Sequence, residues 1–301
     1  MGMLEGKVAI VTGAGRGIGR GEAVELARCG ARVVVNELDA EAGAGVVAEI
    51  EAAGGMATLD TGDCSEVDRA RDLIRRAIDT YGALDALVNN AGVLRDRTVA
   101  KMSPEEWDAV IRVHLRGHYA CTHFACEYWR AEGRPGSIVC TTSTSGLLGN
   151  FGQANYGAAK AGIAAFSTIV AQEMAKSGVT CNAIAPAART RMTEGAYGDI
   201  PAAGEDGDEF DFWHPDNVAP MVAYLCSDAA RHISGKVFGV QGDAVELYRP
   251  YTSVAVIENS SLRWTPEGLA GRVPELFEAS GMVAGPEVMM AKLRYSMTAR
   301  G

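Results

Sequence analysis

Apolar, β-branched runs alternate along this chain with segments whose apolar residues recur at helical spacing. Lys7–Thr12, Arg32–Asn36, Met56–Asp60, Leu84–Asn89, Ser137–Thr142, Val179–Ile184 and Lys236–Val240 read as strands. Short apolar runs without polar alternation mark strands covered on both faces. Between them, Gly17–Cys29, Ala40–Ala53, Glu66–Tyr81, Pro104–Arg130, Tyr156–Lys176 and Asp216–Cys226 read as helices. Gly30 can close the first helix, and Ser103 followed by Pro104 can open the long one. This alternation predicts an α/β fold: a doubly wound parallel sheet with helices on both faces. No linker or repeat divides residues 1–242, which are expected to form a single domain. Two stretches leave the rhythm. The polar segment Thr193–Pro215 is long enough to be a substrate lid. The C-terminal extension, 243–301, contains Thr265-Pro266-Glu267, a helix start followed by an apolar stripe of Leu269, Val273, Leu276 and Phe277. That helix is expected to pack on the body or on a partner subunit.

Composition narrows the possibilities. The 301 residues are 48% hydrophobic and 22% charged, so the chain can bury a core without covalent staples. A net charge of −10 argues against nucleic acid and anionic membranes as partners. No run approaches the roughly 18 apolar residues of a membrane span, and no apolar signal region opens the chain. A cytoplasmic location is the expectation. The seven cysteines are scattered without a C-x-x-C pair, which suits reduced core thiols better than disulfides or zinc. His114 and His118 share the spacing of zinc proteases, but the glutamate that should follow the first is absent. No metal is therefore expected, and His118 and His123 are expected on a helix surface or interface.

The candidate chemistry lies where strands end. The first strand runs into Thr12-Gly13-Ala14-Gly15-Arg16-Gly17-Ile18-Gly19 and then a helix. Glycines permit a tight turn and close approach to a pyrophosphate, and the helix N-terminus offers free N–H groups. The second strand ends at Asn36-Glu37, where an acid can bind both ribose hydroxyls of NAD and repel the extra phosphate of NADP. Arg16 pulls the other way, since a base in the loop can pair with that phosphate. Asn89-Asn90-Ala91-Gly92 follows the fourth strand, and Ser143 the fifth. Tyr156 and Lys160 stand one helical turn apart on one face. A tyrosine hydroxyl has an intrinsic pKa near ~10, and a nearby ammonium brings it down toward use as a base.

This ordered set, with each motif at its own element of one sheet, resembles the short-chain dehydrogenase/reductase family over about residues 4–242. The resemblance implies a Rossmann fold and an NAD cofactor. Its contacts would be Gly13, Arg16, Gly17, Ile18, Gly19, Glu37, Asp63, Cys64, Asn90, Ala91, Gly92, Tyr156, Lys160 and Ile184. Asp63 takes the adenine position. Tyr156 would be the general acid/base, Ser143 would bind the substrate oxygen, and Lys160 would hold the ribose and lower the tyrosine pKa. His114 stands where most of the family has the asparagine of its catalytic set, and Ala187 where the usual glycine follows Pro186.

Val113-His114-Leu115-Arg116-Gly117, Asn150–Tyr156 and Ile184-Ala185-Pro186 resemble more narrowly the dehydrogenase unit of peroxisomal multifunctional enzyme type 2 and its bacterial relatives. That branch implies a (3R)-hydroxyacyl-CoA or steroid-related thioester as substrate, and a homodimer or homotetramer. A steroid or ketone dehydrogenase without CoA and a non-catalytic NAD(H) sensor are the alternatives. The intact Ser143, Tyr156 and Lys160 disfavour the sensor. His114 is expected near Lys160, joined to it directly or through water. Arg95, Arg97, Lys101, Arg189 and Arg191 are the candidates for CoA phosphates, with Phe210, Phe212 and Trp213 covering apolar substrate from the acidic lid.

Overall fold

A computed structural model describes residues 2–190, 210–249, 251–287 and 289–292. The chain divides into two compact units, Met1–Tyr248 and Arg249–Gly301. The first unit is an eight-stranded sheet: β1 (Val8–Thr12), β2 (Arg32–Asn36), β3 (Met56–Asp60), β4 (Ala86–Asn89), β5 (Ser137–Thr141), β6 (Thr180–Ala187), β7 (Val237–Gln241) and β8 (Ala244–Tyr248). Their spatial order is β3-β2-β1-β4-β5-β6-β7-β8. All neighbours are parallel except β7 and β8, which pair antiparallel. Chain order reverses between β1 and β4, and open sheets of this kind bind ligands at such a switch point.

Alternation along β1 shows why both faces are covered. Val8 and Ile10 join a core with Leu73, Leu87, Trp129 and Ile163. Ala9 and Val11 join the opposite core with Leu26, Val33, Val46 and Val222. The first core is roofed by α3 (Val67–Tyr81), α5 (Gly117–Glu132) and α7 (Ala154–Met174). The second is roofed by α1 (Gly17–Arg28), α2 (Ala40–Ala52) and α8 (Ala219–Cys226). No helix among the described residues is long and apolar enough to cross a membrane.

Three elements differ from the sequence pattern. The long helix expected over Pro104–Arg130 is interrupted: α4 (Pro104–Ile111) leads through a π turn, Arg112–Arg116, into α5. Such a turn inserts a residue into the helical ladder, which apolar periodicity does not register. A short helix, α6 (Thr144–Leu148), follows Ser143 directly. The sheet also continues past Gly242, because Gly242 and Asp243 turn the chain back as β8 and move the division between units to Tyr248. In the second unit, Thr265 caps α9 (Pro266–Arg272) as its motif predicts, accepting from Gly268 N–H at 3.1 Å. Pro274 has no N–H to continue that helix, so a separate α10 (Pro274–Ser280) begins there.

Candidate active site

The β1–α1 turn is built by the absence of side chains. Gly13 has φ +64°, and a Cβ there would lie 2.8 Å from Ala91 Cα. A Cβ on Gly19 would lie 2.3 Å from the Gly13 carbonyl and 2.4 Å from Asn90 Nδ2. Asn90 uses that amide to hold the carbonyls of Thr12 and Gly13, both at 3.1 Å. Thr12 Oγ1 in turn accepts the N–H groups of Asn90 (3.0 Å) and Ala91 (3.1 Å), so the ends of β1 and β4 are one hydrogen-bonded piece. Thr12 was not singled out in the sequence; its hydroxyl beside the glycine run was the available signal. No side chain caps α1 and no acid lies in its first turn. Its leading N–H groups and dipole end therefore suit an anion such as a pyrophosphate. Ile18 packs against the core beneath.

Glu37 stands beside this loop. Its Oε2 accepts from Gly15 N–H at 3.0 Å and its Oε1 from Asp39 N–H at 3.1 Å. Arg16 pairs with Asp39 at 2.5 Å, so its charge is already met by a carboxylate. Asp63 lies beyond the end of β3, where Ser65 and Arg112 hold it. Cys64 is buried and gives its carbonyl to the Cys121 thiol. The Ile184 side chain is buried, and its carbonyl accepts from Thr142 N–H at 2.7 Å.

The catalytic candidates gather at the ends of β5 and α7. Ser143 leaves β5 in extended conformation and caps α6, its Oγ accepting from Ser145 N–H at 3.1 Å. Gly146 allows α6 to lie flush on α7, since a Cβ there would sit 2.4 Å from Ala161 N. Tyr156 falls in the first turn of α7. Asn155 before it is fully buried. It accepts Tyr156 N–H at 2.8 Å and donates to the carbonyls of Arg95 (3.0 Å) and Glu106 (3.2 Å). In the sequence Asn155 stands only as part of the Asn150–Tyr156 motif, and its bracing role escaped because its partners Arg95 and Glu106 lie on distant segments.

Lys160 is buried and donates to the Thr141 carbonyl at 2.6 Å, with its Nζ 5.5 Å from the Tyr156 ring centre. Burial lowers its pKa to about 7, against the upward pull of Cys140 and Glu22. Glu22, on α1, is fully buried with neither carboxylate oxygen partnered. Burial pushes its pKa up to about 8, and Lys160 acts in the opposite direction.

His114 occupies the π turn. Its ring meets Tyr156 edge-on at 5.2 Å, and its Nε2 lies 3.0 Å from Val93 N and 2.8 Å from Val93 O. A direct hydrogen bond to Lys160, one of the two expected arrangements, is replaced by this backbone contact; Nδ1 is buried without a protein partner. A Cβ on Gly92 would lie 2.3 Å from the imidazole, so Gly92 makes room for the ring. Burial, and then the Lys160 charge, hold the His114 pKa well below its usual value. His118, expected at a surface, is also buried, and its pKa falls to about 3 for the same reasons in the same order. The extra residue of the π turn rotates this part of the helix away from the register that spacing alone suggests.

The substrate-side candidates differ in their surroundings. Arg189 forms a half-buried ion pair with Asp211. Arg97 pairs with Glu106 at 3.2 Å. Phe212 is buried, with its ring against Gly242, rather than lining an open face. Arg191 and residues 193–209 of the segment expected as a lid lie outside the described residues. Arg95 and Lys101 remain exposed on the segment leaving β4.

The sheet order, the glycine turn at its switch point and the Ser143–Tyr156–Lys160 cluster together define a dinucleotide-dependent oxidoreductase site. The chain belongs to the short-chain dehydrogenase family, whose model matches residues 7–199. It is 43% identical over 286 residues to the hydroxyacyl-CoA dehydrogenase ChsB1 of Mycobacterium tuberculosis, covering 91% of this chain and 89% of that one. It is 42% identical over 265 residues to peroxisomal multifunctional enzyme type 2 of Drosophila melanogaster, covering 85% of this chain and 42% of that larger protein. A crystal structure of a short chain dehydrogenase from Mycobacterium avium superposes with a TM-score of 0.85 at 42% identity, covering 95% of this chain and 99% of the other.

Proposed function

We propose that this enzyme is an NAD-dependent dehydrogenase that interconverts a secondary alcohol and a ketone on a (3R)-hydroxyacyl-CoA or steroid-related thioester. The observation that carries the reading is Tyr156 beside the buried Lys160 ammonium, one turn apart on α7 and flush against the helix that Ser143 caps. Gly13 and Gly19 have no room for a Cβ, so the β1–α1 turn is held tight against β4, and the uncapped, acid-free α1 terminus above it suits a diphosphate, so the residues fit the cofactor. Glu37 favours NAD, because its carboxylate would oppose a 2′-phosphate and Arg16 is neutralised by Asp39.

Bound nicotinamide supplies the hydride acceptor for the substrate carbinol carbon. Tyr156 takes the hydroxyl proton as that hydride leaves, and Ser143 donates a hydrogen bond to the developing alkoxide. Lys160 favours the phenolate by its charge. His114 fixes Val93 and the edge of the Tyr156 ring, and so acts by positioning. The names of the relatives support a CoA thioester. On this chain Arg95 and Lys101 are the cations that would meet its phosphates. Activity as a homodimer or homotetramer in the cytoplasm completes the reading.

A panel of (3R)- and (3S)-hydroxyacyl-CoA thioesters and free steroid alcohols, each with NAD+ and NADP+, tests it by NADH absorbance. The highest kcat/KM should fall on a (3R) thioester with NAD+. Equal or better use of NADP+ removes the Glu37 argument, and turnover confined to free steroids removes CoA.

A further inference from the structure

Asp63 is held more tightly than a loop carboxylate needs to be. Its Oδ1 accepts from the Ser65 N–H at 2.9 Å and from the Ser65 hydroxyl at 2.6 Å. Its Oδ2 accepts from Arg112 Nη1 at 2.9 Å, and the same nitrogen donates to Ser65 Oγ at 2.6 Å. Ser65 is fully buried, and Gly117 of α5 comes within contact distance of it, at 3.7 Å from a Cβ built there. Glu66 lies 3.5 Å from both Arg112 and Arg116, which ties the π turn to the segment after β3 from a second side. Asn36 fixes the start of that segment by donating to Asp60 Oδ1 and to the Gly62 carbonyl, both at 2.9 Å.

A carboxylate offers about four acceptor positions, and an ionised one is acceptor-only. Ser65 and Arg112 take three of those on Asp63. The side chain is nevertheless 33% exposed, so the remaining acceptor reaches the surface. Burial alone would raise the Asp63 pKa, but the hydrogen bonds from Ser65 and Arg112 outweigh it and hold the group ionised. The register of β1, β2 and β3 places this end of the sheet beside Glu37, whose N–H donates to the Asp60 carbonyl at 2.9 Å.

We propose that Arg112 and Ser65 are positioning residues for the adenine end of the cofactor: they lock Asp63 so that its one outward acceptor faces the amino group of the base. The inference rests on reading the site as a dinucleotide site. It assigns two residues of the π turn different tasks, with Arg112 at its start serving the base and His114 at its middle the catalytic tyrosine. It also accounts for a guanidinium at position 112, since a planar fork can serve a carboxylate and a hydroxyl at once.

Calorimetric binding of ADP-ribose and of inosine diphosphate ribose, which lacks the amino donor, tests the idea without turnover. The unaltered protein should bind ADP-ribose about tenfold more tightly than the inosine analogue, the worth of one hydrogen bond to a charged group. Arg112→Leu and Ser65→Ala should each bring that ratio toward one. In kinetics the loss should fall on KM for NAD+ more than on kcat. Ser65→Ala carries the test if Arg112→Leu fails to fold. An unchanged ratio in the folded variants overturns the proposal while leaving the dinucleotide reading intact. Failure of the unaltered protein to bind either ligand overturns both.

Discussion

The strand ends of this enzyme carry two kinds of wall. On the β1–β2–β3 side the wall is mostly backbone: glycines without room for a Cβ, carbonyls held by Asn90, and N–H groups held by Thr12 and Glu37. On the β4–β6 side it is made of long charged side chains whose partners depend on packing. Arg189 and Arg97 are taken by Asp211 and Glu106, whereas Arg95 and Lys101 face outward. Backbone requirements restrict residue type at fixed positions, so they leave a motif. Charge pairing across distant segments leaves none.

Tyr156→Phe gives the largest expected effect. It should lower kcat by ~10²–10⁴-fold, the usual worth of a general acid/base, while NADH affinity measured by fluorescence stays close to that of the parent. A variant within a few-fold of the parent would move the chemistry elsewhere.

The backbone wall is broken most cleanly at Gly19. A Cβ on Gly19 meets the Gly13 carbonyl and the Asn90 amide, so Gly19→Ala should destabilise the fold by about 1–3 kcal/mol, the usual penalty of overpacking. It should also weaken NADH binding, whereas Gly45→Ala, on an open face of α2, should leave binding unchanged and stabilise the fold by about 0.5–1 kcal/mol in chemical denaturation. Comparable losses in the two variants would mean that the close approach at Gly19 is not special.

Beneath the same wall, Glu22 gives a pH-dependent test. Its folded pKa of about 8 stands above the ordinary 4.5, so between those values the folded state binds more protons than the unfolded state. Stability contributed by the neutral acid is full at low pH and is lost as pH rises through that window. Glu22→Gln has no such loss and should gain on the parent by roughly 2–4 kcal/mol between pH 5 and pH 8. Lys160, lowered to about 7, has the opposite slope above neutrality in both proteins. Parallel melting temperatures across the range would show that Glu22 has found a partner.

The charged wall gives the smallest effects. Arg95→Ala should raise KM a few-fold for a CoA thioester alone, and the penalty should shrink at high salt as exposed charges are screened. Arg189→Ala should instead lower the melting temperature and affect all substrates alike, because it strands the half-buried Asp211. The reverse pattern would exchange their roles.

The sequence pattern reveals most of the fold because alternating buried strands and helices need distinctive apolar runs, and the glycine turn, Ser143, Tyr156 and Lys160 stand at the ends of those runs. The π turn escaped because one inserted residue hardly disturbs apolar spacing; with it went the burial of His118 and the backbone role of His114. Strand β8 escaped because its alternating Val245 and Leu247 face outward and follow a two-residue turn rather than a helix. Asn155 and Arg112 escaped because their partners lie on elements far along the chain, and Gly146 because the close approach of α6 to α7 is a packing distance that spacing does not carry.

Transfer of deuterium tests the central claim most directly. A (3R)-hydroxyacyl-CoA carrying deuterium on its carbinol carbon would be incubated with NAD+ and the protein, and both products examined by mass spectrometry. The account predicts that the label leaves the carbinol carbon and appears in the reduced cofactor, one deuterium for each ketone formed. Reduced cofactor without label, or no reduction by this or any other labelled secondary alcohol, would contradict it.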